Sequence, residues 1–179
     1  SYVLFCLDLS GFDVKDFFLK KLKPKAEREN ELFLFEQHLY RFLPYSKYSA
    51  QEIWEICQRT LSSDDRYYVD EFARNLAFNN FDLAKNIYSI AVRSEHPNTT
   101  FFIASLLIGL HNNGLKGVFE KAFELQKSHR QQGYHVLNSM KDLSDTQNNL
   151  ILELVRNDQF PESVGSKTQV LCGLIDNPK

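Results

Sequence analysis

The sequence predicts an all-α protein, a compact multi-helix domain. Apolar residues recur at helical spacing in stretch after stretch of the chain. Short polar breaks separate these stretches: "NN" at 79–80, "EHPN" at 95–98, "HNNG" at 111–114 and "LSDT" at 143–146. No βαβ alternation is visible, and seven Gly and five Pro are few for a fold built on many tight turns.

The elements follow in order. Residues 13–22, "DVKDFFLKKL", read as an amphipathic helix with Val14, Phe17, Phe18 and Leu22 near one face. Pro24 breaks it, and Lys20, Lys21, Lys23, Lys25 and Arg28 form a basic run, read as a solvated surface. In 31–43 Leu32, Phe35, Leu39 and Phe42 recur at helical spacing until Pro44 ends the helix. "SAQE" (Ser49–Glu52) fits a capping box, in which the Ser hydroxyl and Glu carboxylate each satisfy an amide at a helix start. Ile53, Trp54, Ile56 and Cys57 give that next helix its apolar face. Ser62–Asp65 supplies N-cap chemistry for another. Helices are expected over 66–78, 81–94, 99–110, 115–128, 131–142 and 146–156. The last stretch, "FPESVGSKTQVLCGLIDNPK", changes texture, with Pro161, Gly165, Gly173 and Pro178, and "TQVLCGLI" reads as a short strand or a buried extended tail. Three segments result: an N-terminal helical extension over 1–29, a helical domain over 30–161 and an irregular C-terminal tail over 162–179.

Bulk properties narrow the function classes. With 43% hydrophobic and 25% charged residues the chain is a folded protein rather than a disordered one. A net charge of -2 gives no overall pull toward nucleic acid or an anionic membrane. Cys6, Cys57 and Cys172 are scattered and odd in number, which points to a reducing, cytoplasmic compartment. The apolar run Tyr2–Leu7 is too short to span a bilayer and has no basic leader, so no membrane segment is expected.

Catalytic chemistry is not visible. His129 and His135 are six apart, off the i,i+4 face that two metal ligands on a helix need, and no Cys pair has zinc spacing. His38, His96 and His111 stand singly, and no glycine-rich phosphate loop is present. Asp64-Asp65 reads as a helix start, and Cys57 as a packing residue on an apolar face. No metal and no cofactor are expected.

One extended pattern remains. Leu32, Leu34, Phe35 and Glu36 are followed by Leu39-Tyr40-Arg41, then Pro44, Ser46 and Trp54. Downstream come "IYSIA" (Ile87–Ala91), "NTTFFIASLLIGLHN" (Asn98–Asn112), "LKGVFEKAF" (Leu115–Phe123) and "DLSDTQNNLILELVRNDQFP" (Asp142–Pro161, with the late Arg156). This order resembles the catalytic domain of Ras-type guanine-nucleotide exchange factors (RasGEF) over about residues 30–161. Phe33 replaces the family's threonine, and Gly117 stands where the family likes Arg. The segment from Trp54 to Ile87 is shorter than usual. Phe160-Pro161-Glu162-Ser163-Val164 stands at the family's Pro-Pro-Cys-x-Pro turn, and the chain stops before the family's helical hairpin. The resemblance implies a RasGEF-like fold that binds a small GTPase of the Ras superfamily. Guanine-nucleotide exchange would be its activity, with the hairpin that prises open the nucleotide site outside this chain. It implies a grip built from the opening helix and the helix over 66–78. Glu36 and Arg41 would be polar contacts or framework there, and Phe72 and Leu76 apolar lining. Plainer readings make Phe72 and Leu76 core, and Glu36 and Arg41 exposed or ion-paired within the domain.

Two alternatives stand beside it. "ARNLAFNNFDLAKNIYSIAV" resembles one tetratricopeptide-type helix pair, with small residues at Ala73, Ala77, Ala84 and Ala91. Asn79-Asn80 and Asn112-Asn113 recur near that repeat's period, but no third unit is clear. Such a chain would be a non-catalytic protein–protein interaction module. An unrelated α-bundle is the other alternative.

Overall fold

The structure, a computed structural model, describes residues 2–17, 20, 32–61, 67–96, 98–140 and 142–175. These residues form helices and no strand. In chain order they are α1 (Tyr2–Leu9), α2 (Val14–Phe17), α3 (Leu32–Phe42), α4 (Ala50–Leu61), α5 (Tyr67–Asn79), α6 (Phe81–Ala91), α7 (Thr99–Asn112), α8 (Val118–Ser128), α9 (Arg130–Asn138), α10 (Asp145–Asn157) and α11 (Val164–Ile175). Single 3-10 turns, Leu43–Tyr45 and Pro161–Ser163, follow α3 and precede α11.

Local chemistry accounts for the boundaries. Pro44 cannot continue α3, so the chain tightens into the 3-10 turn, closed by Ser46, whose amide and hydroxyl both donate to the Leu43 carbonyl. The Ser49–Glu52 capping box forms: the Ser49 amide donates to Glu52 Oε2 at 3.0 Å and the Glu52 amide to Ser49 Oγ at 3.3 Å. A second box, Ser144 with Gln147, starts α10. Asn80 alone separates α5 from α6, and its side chain caps α6 by accepting from the Leu83 amide. At the end of α7 the Leu115 amide reaches back to Leu110 and the Gly114 amide to His111. That is a Schellman closure, and it needs the left-handed φ of +93° that Gly114 supplies. Gly117, at φ +75°, delays α8 to Val118, three residues after the expected start at 115.

α7 is apolar all round and ten of its fourteen residues are buried, so it forms the centre of the core. α5 crosses it closely, with α6, α8 and α9 also against it. The α5–α7 crossing is close because Gly109 has no side chain: a Cβ there would lie 2.2 Å from the Arg74 carbonyl oxygen. Gly133 serves the α8–α9 contact in the same way, where a Cβ would lie 2.3 Å from Gln126 Cα. α4 packs against α6, and Trp54 stacks at 5.2 Å on Phe102 of α7. α3 packs on α5 through Tyr40 and Phe72. α11 packs on α9, and α10 on α11. The described part of the N-terminal extension is docked on this body. Val14 is fully buried, buried Asp8 pairs with Lys47 at 3.4 Å, and Lys15 pairs with Glu52 at 3.3 Å.

The C-terminal segment corrects an expectation. Residues 164–175 are α11, neither an irregular tail nor a strand. Gly165, Gly173 and the β-branched Val164, Thr168 and Val170 weaken intrinsic helix preference, but packing overrides it. Val170 is buried, Leu174 packs against the core, and Gly173 lets α11 approach the Asn138 side chain. The Ser62–Asp65 cap and the basic residues Lys21, Lys23, Lys25 and Arg28 lie outside the described residues.

Candidate functional site

Helix α3 with its 3-10 turn lies alongside the C-terminal half of α5. Between them is an open cleft of about 290 Å³, lined by Gln37, Tyr40, Arg41, Pro44, Glu71, Phe72, Asn75, Phe78 and Asn79. Its floor is aromatic: the Tyr40 and Phe72 rings stack with centroids 5.1 Å apart, and both are nearly buried. Pro44 closes one end, where Asn80 Nδ2 donates to the Pro44 carbonyl at 3.3 Å and fixes the turn against the α5–α6 junction. The Tyr45 hydroxyl donates to Asn79 Oδ1 at 2.9 Å across the same junction. The rim carries exposed Arg41 and Glu71, opposite in charge.

The large apolar groups at this rim are unusually open. Phe78 is 80% exposed and Tyr45 55% exposed. Isolated surface apolar residues are ordinary, but two aromatic rings beside an aromatic-floored cleft form the pattern of a contact surface. Two of the expected site residues, Arg41 and Phe72, share this cleft. Leu76 lies beneath it, fully buried in the core. Glu36 belongs to α3, but its side chain lies outside the described residues. Sequence reading missed Phe78 and Tyr45. The signal for Phe78 was present: Val69, Phe72, Ala73, Leu76 and Ala77 form the buried face of α5, and Phe78 falls out of that register.

Acid–base and nucleophilic chemistry have little support. Cys57 is buried, and burial pushes its thiol well above the ordinary range, so the reactive thiolate is suppressed. Burial also lowers the imidazoles of His111 and His135. Among the described residues no three of His, Cys, Asp and Glu are placed to hold a metal ion. Asp158 is held in a structural network instead. Its carboxylate accepts from the Tyr134 and Ser163 hydroxyls at 2.8 Å each and from the Phe160 amide at 3.0 Å. Among the described residues no helix is long and apolar enough to cross a membrane.

The described residues form an all-helical fold, and its candidate site is an open cleft between two helices. The chain matches no family model, no curated protein and no solved structure.

Proposed function

We propose that this chain is a helical module that binds a small GTPase of the Ras superfamily through the α3–α5 cleft. The observation that carries the reading is the juxtaposition at that cleft. The two elements to which the exchange-factor resemblance assigns the grip are neighbours, with Arg41, Phe72 and Phe78 lining one open cleft and exposed Tyr45 bonded to its Asn79. An exchange factor acts by linkage: it binds the nucleotide-free GTPase more tightly than the loaded one, and so weakens nucleotide by the same factor. Binding is the part of that cycle that this cleft supports. A non-catalytic interaction module, tetratricopeptide-like or a degenerate exchange-factor scaffold, is the second reading; the α5–α6 hairpin around Asn80 favours it.

Capture of nucleotide-free Ras-superfamily GTPases on the immobilised protein tests the proposal, with release of fluorescent GDP from the same panel as the readout for exchange. The expected result is capture by the wild type and loss of it in Phe78→Asp, a change at an exposed position that leaves the fold intact. Capture unaffected by Phe78→Asp would remove the cleft from the account. No capture of any GTPase would leave the interaction-module reading in its place.

A further inference from the structure

The α3–α5 cleft carries both halves of a complementary contact on one copy of the chain. Glu71, Asn75 and Phe78 recur at i, i+4 and i+7 along α5 and are all exposed, so they form one outward row. Phe78 ends that row as a knob, 80% exposed. Beside it lies a hole of about 290 Å³ over the stacked Tyr40 and Phe72 rings. That volume is at the lower limit of small-molecule sites and suits one large side chain. Phe78 lines the mouth of its own cleft but is too exposed to fill it.

The charges have the same two-sided character. Arg41 on α3 and Glu71 on α5 both line the cleft and both are exposed. They do not pair with each other, and neither has a charged partner among the described residues. An unpaired surface charge is ordinary by itself. Here two unlike charges share one small patch with a knob and a hole. A two-fold axis brings two such patches together so that knob meets hole twice and unlike charges meet twice. We propose that a second copy of this chain occupies the cleft. Phe78 of each copy enters the cleft of the other over its Tyr40 and Phe72 rings, and Arg41 of each copy pairs with Glu71 of the other. Aromatic rings and arginine are the groups in which interface centres are enriched. The patch is small, so the dimer is transient: it forms at high concentration and dissociates on dilution. The inference rests on the reading of this cleft as a docking surface and adds a regulation to it. The dimer covers Phe78 and Arg41, so self-association and capture of a GTPase exclude each other.

Sedimentation equilibrium of the whole chain, with no GTPase present, tests this. The wild type is expected to show a reversible monomer–dimer equilibrium. Phe78→Asp, Arg41→Glu and Glu71→Arg, all at exposed positions, are each expected to weaken it about tenfold or more. An equimolar mixture of Arg41→Glu with Glu71→Arg is expected to regain wild-type association, because both unlike pairs reform across the mixed dimer. That recovery also shows that both variants fold. The proposal fails if the wild type is monomeric up to about 1 mM. It also fails if Phe78→Asp dimerises like the wild type, or if the mixture associates no better than either variant alone. A wild type that stays monomeric yet captures a GTPase overturns this inference and leaves the GTPase reading standing. A reversible dimer with the expected variant pattern and no GTPase captured keeps the dimer and removes the GTPase.

Discussion

Gly109 and Gly133 each permit a close helix contact by lacking a Cβ. Because the atoms a Cβ would meet belong to the neighbouring backbone, no side-chain movement relieves the clash. Gly109→Ala and Gly133→Ala are each expected to destabilise the fold by about 3 kcal/mol, at the upper end of overpacking effects, read as a lowered urea midpoint. Gly165→Ala is the control. Nothing lies within 4 Å of a Cβ there, so the change is expected to stabilise by about 0.5 kcal/mol through helix propensity. Asp158 sets a pH dependence. Burial alone would raise its carboxyl, but the Phe160 amide, the Ser163 and Tyr134 hydroxyls and the Lys167 charge outweigh that and hold it below its ordinary value. A depressed folded-state value means stability that is present above the unfolded-chain value of about 4 and is lost as pH falls through the folded one. Urea midpoints measured from neutral pH downward are expected to drop below that value, and Asp158→Asn to flatten the drop. An acid limb as steep in Asp158→Asn as in the wild type would assign it to other carboxylates.

At the scale of elements, most helices were legible because periodicity and breaks agreed. Leu39 and Phe42 mark α3, and Ser49 with Glu52 marks the start of α4, in the sequence itself. Ser49→Ala and Ser144→Ala each remove one side of a capping box and are expected to cost about 1 kcal/mol, measured by thermal or urea unfolding. The misread element was α11. Its glycines and β-branched residues carry a weak local signal, and its reason for being helical is tertiary: Val170 against the core and Lys167 donating to the Asp158 carbonyl at 2.8 Å. The candidate site was half legible for a related reason. Arg41 and Phe72 are separated in sequence and meet only because α3 packs on α5, which periodicity cannot report. Leu76 has the same periodicity as Phe72, yet it points into the core. Residue type and spacing alone do not separate a cleft floor from the layer beneath it.

For the whole molecule, the central helix α7 separates two faces with different characters. One presents the aromatic cleft between α3 and α5; the other presents a larger, more open cleft at the start of α7. Their walls meet through the α5–α7 crossing at Gly109, but neither cleft shares a lining residue with the other, so each can be disabled alone. The central claim is that α3 and α5 form the docking surface for a small GTPase. Amide hydrogen exchange on the protein alone and with an excess of a captured nucleotide-free GTPase tests it most directly. The account predicts new protection concentrated in Leu32–Phe42 and Tyr67–Asn79, with the rest of the chain unchanged. Protection elsewhere with those two helices unaltered would contradict it.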